Sequence, residues 1–130
     1  THAFNKLMDA NRLPATNDEE QTAKNEAIEI ANKYAIDIPM ETAEKCFRVI
    51  ELAEILVEKG NPNSVSDAGV AAEVALAGVR GACMNVMINL PGVEDESYCN
   101  EKKNAVNDLI EKAELLQKVV FEKTMNVINK

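Results

Sequence analysis

Apolar residues recur every three or four positions through most of this 130-residue chain, which predicts amphipathic α-helices. The first pattern covers residues 3–13 and ends at Pro14, because the residue before a proline is displaced from helical geometry. A second pattern begins after Asn17, a favourable N-cap, and ends at the Ile38–Pro39 pair. A third starts at that proline and stops at Gly60, which is predicted to end it in the left-handed conformation.

The fourth predicted helix begins after a turn at residues 61–63. Ser64 and Asp67, three positions apart, have the spacing of a capping box with Asp in the Glu/Gln place. The helix runs to Leu90, where the Pro91–Gly92 pair ends it, a length of roughly 39 Å at 1.5 Å per residue. Its many Ala and Gly residues predict a central helix that packs on several sides.

A fifth helix is predicted from about Asp95 to the end of the chain. No alternating strand pattern competes with these assignments. The prediction is an all-α fold, a bundle of about five long, mainly antiparallel amphipathic helices that forms one domain over residues 1–130. Because the chain starts inside a helical pattern without an initiator Met, we expect this domain to be N-terminally incomplete.

The net charge of the chain argues against two classes of binding partner. A formal net charge of −8 disfavours binding to nucleic acid and to anionic membrane surfaces. We find no uninterrupted run of about 18 apolar residues and no basic-then-apolar leader, so no membrane association is expected. The three cysteines, Cys46, Cys83 and Cys99, are odd in number and far apart, which predicts neither a disulfide framework nor a metal site and favours the cytoplasm.

Polar residues on the fourth helix are the main candidates for chemistry. Asn85 follows Asp67 by 18 positions and so returns to the same face, and Asn89 is offset by only about 40°. Small residues between them leave a shallow channel in which a flat ligand could lie, and its members are Val74, Gly78 and Gly81. Taken alone, Asp67 is also explained as an N-terminal acid, and the two asparagines as partners of neighbouring helices.

Two other residues have simpler explanations. Arg80 lies about 220° from Asp67, and with Glu73, seven positions earlier, it could form a solvated or subunit-bridging pair. His2, the sole histidine, lies close to the start of the chain, where a structural or incidental role is expected.

Three sequence motifs resemble those of a known family. The run GNPNSVSDAGVAA at 60–72, together with RGA at 80–82 and NVMINL at 85–90, resembles the formiminotetrahydrofolate cyclodeaminase/methenyltetrahydrofolate cyclohydrolase family. Residues 3–5 and 12–14 and the helix over 39–60 agree, so the resemblance covers nearly the whole chain. The PGGGS segment with which family members begin, and which helps line their folate cleft, is absent from this sequence.

The resemblance implies a helical bundle that forms a homodimer and binds folate in a cleft near the subunit interface. In the deaminase reaction, folate N10 attacks the formimino carbon on N5, and ammonia leaves to give 5,10-methenyltetrahydrofolate. In the cyclohydrolase reaction, water adds to the same carbon and the ring opens to 10-formyltetrahydrofolate. Both reactions need a group that moves protons, and the substrate is a tetrahydrofolate derivative with no metal or redox cofactor.

The resemblance also gives the predicted site residues their roles. Asp67 is the predicted catalytic proton-transfer group, since a carboxylate in a water-poor cleft can move protons. Arg80 is predicted to meet the folate glutamate tail. Four asparagines are predicted to bind the pterin edge, namely Asn61, Asn63, Asn85 and Asn89. The alternative is a non-catalytic helical dimerisation or interaction module whose small-residue helix forms the seam.

Overall fold

The computed structural model describes residues 2–130 and contains four α-helices joined by short turns. Helix α1 spans His2–Asn11, α2 spans Asp18–Lys59, α3 spans Val65–Asn89 and α4 spans Glu96–Ile128. No strand occurs within these residues. The expected all-α fold is therefore confirmed, whereas the expected number of about five helices is wrong.

The difference in helix number arises at Pro39, which lies inside the 42-residue helix α2 and does not end it. A proline at an interior position removes one backbone hydrogen bond and crowds the carbonyl four residues earlier, at a cost of about 3 kcal/mol. Ile36 and Met40, on either side of the proline, are both buried in the bundle. Packing of this apolar face holds the two predicted segments in one helix, because tertiary contacts stabilise most helices in proteins.

The three long helices form an up-down-up bundle. Asn32 of α2 contacts Gly92 just beyond α3, and Cys46 lies against Gly78, so α2 and α3 are antiparallel. Between α3 and α4, Arg80 bonds to Glu114 and the earlier residue Glu73 bonds to the later residue Gln117. These two helices are therefore antiparallel too. The short helix α1 packs mainly on α2.

Helix α3 supplies nine of the buried residues, and glycine allows it to approach both neighbours closely. A β-carbon at Gly78 would lie 2.7 Å from the sulfur of Cys46 on α2. One at Gly69 would lie 2.8 Å from the methyl carbon of Thr124 on α4. Gly81, in contrast, has nothing within 4 Å of its β-carbon position, so neither helix requires a glycine there.

The turn between α2 and α3 differs from its predicted geometry in two respects. Gly60 has φ −81°, so the predicted left-handed conformation is wrong. Glycine is nonetheless required, because a β-carbon would collide with the carbonyl oxygen of Leu56. The predicted cap at Ser64 is also wrong, since its side chain makes no capping hydrogen bond. Asn61 stabilises the turn instead, and its Oδ1 accepts a 3.0 Å hydrogen bond from the Asn63 backbone N–H.

A charged cluster fixes the start of α4 on α2. Asp95 accepts a hydrogen bond from the Tyr98 backbone N–H, as an N-cap does, and another from Lys33 Nζ at 2.8 Å. The Tyr98 hydroxyl donates to Asp37 at 2.8 Å, and Lys102 forms a 2.8 Å ion pair with the same carboxylate. The cluster alternates in charge, so each ionised group faces an opposite one.

These contacts shift the pKa of several members in predictable directions. The hydrogen bond from Lys33 holds the pKa of Asp95 below its ordinary value and raises the pKa of the lysine. Partial burial and then the hydrogen bond to Asp37 raise the pKa of Tyr98. For Asp37, partial burial acts upward, but the hydrogen bonds from Lys102 and Tyr98 outweigh it and lower the pKa.

One side of α3 packs on no other helix within residues 2–130. Its apolar seam consists of six positions spaced alternately by four and three residues, namely Val70, Val74, Ala77, Gly81, Met84 and Ile88. The four large side chains are 62%, 67%, 68% and 77% exposed in that order. The expected packing of α3 therefore holds for the sides that face α2 and α4, and the third side is open.

The same helix accounts for the one membrane-like segment among the described residues. Pro62–Gly92 is long and apolar enough to cross a membrane by length and composition. The core helix of a bundle has the same composition, and α3 has this position between α2 and α4.

Candidate functional site

A cavity of about 500 Å³ lies where α1, α2 and the C-terminal end of α3 meet. Most of its wall is apolar, and a few polar side chains project into it, the composition that small-molecule sites usually have. The lining side chains that matter here are His2, Phe4, Tyr34, Pro39, Asn85 and Asn89. We call this space the asparagine cavity.

The two asparagines of this cavity lie one helical turn apart on α3. Asn89 Nδ2 donates a 2.7 Å hydrogen bond to the backbone carbonyl of Asn85, which fixes the orientation of the Asn89 amide. The Asn85 side chain is exposed at the cavity edge. Together the two amides offer donors and acceptors side by side, as a planar heterocycle or an amide-bearing ligand requires.

Aromatic side chains of α1 and α2 also line the cavity. The rings of His2 and Tyr34 meet edge to face, with centroids 6.1 Å apart and planes at 88°. Lys6 Nζ lies 4.2 Å from the Tyr34 ring centroid, within the range of a cation–π contact. The sequence predicted a structural or incidental role for His2 and did not single out Tyr34. Only the packing of α1 on α2 brings these rings into the same cavity as the asparagines.

Asp67 lies at the other end of α3, in its first turn, and is exposed. It shares a helix face with Asn85, but 18 residues of helix place the two about 27 Å apart along the axis. The asparagine cavity does not include Asp67. Of the residues predicted to bind the ligand, Asn61 and Asn63 are nearest to Asp67 in sequence. They form the adjoining turn and are also exposed.

Arg80 projects from α3 toward α4. Its Nη2 and Nε atoms donate to one carboxylate oxygen of Glu114, at 2.7 and 3.1 Å. Glu73 accepts a hydrogen bond from Gln117 at 2.6 Å, so the pair considered between Arg80 and Glu73 is replaced by two links to α4. Arg80 thus lies away from both Asp67 and the asparagine cavity, and its predicted contact with a glutamate tail stays a prediction.

The structure therefore divides the six predicted site residues among three places. Asn85 and Asn89 share a cavity, while Asp67 lies beside the turn that contains Asn61 and Asn63, and Arg80 faces α4. Within residues 2–130, no three His, Cys, Asp or Glu side chains form a cluster that could hold a metal ion.

Comparison with known proteins identifies the family of this chain. The family model described as Formiminotransferase-cyclodeaminase matches residues 1–108, which include α1, α2, α3 and the start of α4. The chain belongs to the formiminotransferase-cyclodeaminase family. The matched range contains Asp67, the turn before it and the asparagine cavity.

Individual members of the formiminotransferase-cyclodeaminase family are similar over most of this chain. A methenyltetrahydrofolate cyclohydrolase of Methylorubrum extorquens is 39% identical over 127 residues, which are 98% of this chain and 61% of that protein. A formimidoyltransferase-cyclodeaminase of Gallus gallus is 34% identical over 113 residues, 87% of this chain and 21% of that protein. The chain thus spans about three fifths of the bacterial relative and about a fifth of the avian one.

Proposed function

We propose that this chain acts in folate one-carbon chemistry, either releasing ammonia from 5-formiminotetrahydrofolate or hydrolysing 5,10-methenyltetrahydrofolate. Membership of the family carries the proposal, because the relatives named above are a cyclohydrolase and a cyclodeaminase. The two reactions share one carbon centre, so a single arrangement of protein groups can serve both. We also propose that the active form is a cytoplasmic homodimer.

The chemistry requires little more than proton movement. In the deaminase direction, N10 forms a bond to the formimino carbon, and the amino group leaves as ammonia after it gains a proton. In the cyclohydrolase direction, water adds to the methenyl carbon, loses a proton, and the carbon–N5 bond breaks. A single carboxylate that accepts and returns a proton can assist each of these steps.

Asp67 is our candidate for this carboxylate, and Asn61 and Asn63 lie in the adjoining turn, where they can bond a pterin edge. The family resemblance supports the position, because the motif at 60–72 contains all three residues. Along the axis of α3, Asn85 lies about 27 Å and Asn89 about 33 Å from Asp67, beyond the width of one pterin. One glutamyl folate is too short to span this distance, so we assign the asparagine cavity to the outer part of a polyglutamyl tail rather than to the reacting ring.

Exposure of Asp67 has a consequence for activity. A carboxylate in open water competes with solvent for the reacting proton, and its electrostatic influence is weak at high dielectric. The 130-residue chain alone is therefore expected to turn over more slowly than a form in which the Asp67 end of α3 is covered.

Direct assays test the proposal and separate its two reactions. Ammonia release from 5-formiminotetrahydrofolate reports the deaminase, and loss of the methenyl absorbance reports the cyclohydrolase. Both assays should use the chain alone and the chain joined to the part of the Methylorubrum relative that lies outside the match. If neither form processes either substrate, and equilibrium dialysis detects no tetrahydrofolate binding, the proposed function is wrong.

The open apolar seam of α3 favours a second candidate, a non-catalytic interaction module. Large exposed apolar patches commonly mark protein–protein contacts. This candidate predicts that the joined form neither binds nor converts a folate, although its helices remain intact by circular dichroism.

A further inference from the structure

A second cavity, of about 420 Å³, lies between α1 and the first half of α2. Each helix contributes four residues with the spacing i, i+3, i+4 and i+7, so one stripe of each helix lines the space. The stripe of α1 consists of Lys6, Asp9, Ala10 and Leu13, and that of α2 consists of Ala27, Ile30, Ala31 and Tyr34. We call this space the α1–α2 cavity.

Most of the lining of the α1–α2 cavity is apolar, and its small residues account for the empty volume. Ala10 and Ala31 are buried, and as alanines they leave space that larger side chains would fill. Leu13 and Ile30 line the same cavity and are 40% and 69% exposed although both are apolar. The cavity thus presents an apolar surface to solvent, on which the apolar part of a small ligand would be shielded from water.

Lys6 brings an unneutralised positive charge to this cavity. Its Nζ lies 4.2 Å from the Tyr34 ring centroid, and this contact restrains the side chain. Lys33 and Lys102 also lie over an aromatic ring, but each forms an ion pair with an aspartate at 2.8 Å. Lys6 forms no ion pair with any carboxylate of residues 2–130. Its ammonium group is therefore available to the carboxylate of a ligand.

Asp9 brings the opposite charge one turn along α1. Residues three apart on a helix are neighbours, with β-carbons about 5–6 Å apart, so one small molecule can reach both Lys6 and Asp9. Asp9 forms an ion pair with Arg12 at 3.8 Å, and the two side chains are 76% and 73% exposed. A pair so exposed contributes little free energy, so it competes weakly with a ligand. The Asp9 carboxylate is therefore available to a ligand ammonium group.

We propose that the α1–α2 cavity binds a free α-amino acid with a large apolar side chain. The carboxylate of the amino acid pairs with Lys6, its ammonium group pairs with Asp9, and its side chain lies on the apolar surface between Leu13 and Ile30. An α-amino acid carries both charges on one carbon atom, which matches two opposite charges one helical turn apart. This cavity shares Tyr34 with the asparagine cavity but is lined by neither of the asparagines, so the inference does not depend on the proposed folate chemistry.

Fluorescence titration with L-tryptophan tests the proposal directly, because the chain contains no tryptophan of its own. The matched ligands are tryptamine, which lacks the carboxylate, and indole-3-propionate, which lacks the ammonium group. The variants are Lys6→Gln and Asp9→Asn. Lys112→Gln on α4 is the matched control, because Lys112 is also an exposed helical lysine and does not line the cavity. Circular dichroism verifies that all three variants remain helical.

The expected result is saturable binding of L-tryptophan that is tighter than binding of either analogue. Lys6→Gln should weaken L-tryptophan binding about threefold or more without weakening tryptamine binding, since tryptamine has no carboxylate to lose its partner. Asp9→Asn should likewise weaken L-tryptophan but not indole-3-propionate, and Lys112→Gln should change none of the affinities.

Three outcomes overturn the proposal. The first is absence of saturable L-tryptophan binding up to about 5 mM. The second is equal affinity for the three ligands, which would show that the indole ring binds without recognition of either charge. The third is binding that Asn85→Ala weakens and Lys6→Gln does not, which would assign the ligand to the asparagine cavity.

Discussion

Asp67 and Asn85 lie on one face of α3 but about 27 Å apart, because 18 residues of helix separate them. The relationship assigns them to different parts of any bound ligand. A group that transfers protons at Asp67 and an amide that binds at Asn85 therefore have separable effects on turnover and on affinity, which the first two predictions use.

Asp67→Asn is expected to lower turnover by about a hundredfold or more, the usual contribution of a general acid or base. The change keeps the shape of the side chain and removes its ability to accept a proton. The measurement is kcat in the form of the protein that shows activity, with far-UV circular dichroism as the check on folding. A variant with full activity removes Asp67 from the mechanism.

Asn85→Ala is expected to weaken folate binding about tenfold and to leave kcat within about twofold, since loss of one or two hydrogen bonds has this magnitude. Asn100→Ala on α4 is the matched control, because Asn100 is an exposed helical asparagine away from the cavity. Equilibrium dialysis with a polyglutamyl tetrahydrofolate provides the comparison. Equal affinity of all three proteins would show that the asparagine cavity does not bind the ligand.

Pro39→Ala is expected to stabilise the protein by about 1–3 kcal/mol, because alanine restores a backbone hydrogen bond inside α2 and relieves the crowding of the preceding turn. Urea denaturation followed at 222 nm measures the free energy of unfolding. Pro39 also lines the asparagine cavity, so folate affinity should be measured on the same variant. A lower free energy of unfolding would mean that the proline shapes a packing surface that alanine cannot replace.

Gly78→Ala and Gly81→Ala form a matched pair on α3. Gly81 has open space at its β-carbon position, so alanine there is expected to stabilise the helix by about 0.5–1 kcal/mol. At Gly78 the new methyl group lies 2.7 Å from the Cys46 sulfur, and the resulting displacement of α2 costs about 1–3 kcal/mol. Thermal or urea denaturation should rank the Gly78 variant as the less stable. The reverse order would contradict the α2–α3 contact.

Acid is expected to loosen the start of α4. The pKa of Asp95 is lower in the folded protein than its unfolded value of about 3.9. Its contribution to the free energy of unfolding is therefore complete above about pH 3.9 and is lost as the pH falls through the folded pKa. Asp95→Asn retains an N-cap but loses the ion pair with Lys33. Between pH 7 and about pH 3, the urea midpoint should therefore fall less in the variant than in the wild-type protein. Equal acid sensitivity would exclude Asp95 as a contributor.

Periodicity was sufficient to predict the helical class and the limits of α3, because its buried positions repeat with the pitch of a helix and its ends carry turn residues. It failed at Pro39, where the local preference to break a helix is outweighed by burial of Ile36 and Met40. It failed at Gly60 for a related reason. Sequence indicates that a glycine is required there, but either a left-handed φ or a steric collision can impose that requirement.

The candidate site was predictable only within one helix. Spacing gave the common face of Asp67 and Asn85, and the family resemblance gave their expected chemistry. The aromatic side of the asparagine cavity depends on α1 crossing α2, and the partner of Arg80 depends on α4, and neither helix pairing is encoded in the spacing of α3. The sequence patterns therefore could not predict contacts between helices that are far apart in the sequence.

Helix α1 buries only one side chain, Ala10, although it forms one wall of the asparagine cavity. A segment with so little buried surface opens at a small fraction of the free energy needed to unfold the bundle. A small molecule could therefore reach Asn85 and Asn89 by displacing ten residues at the periphery, while the three long helices keep their positions. The rate at which a ligand enters the cavity is then governed by how often α1 detaches from α2.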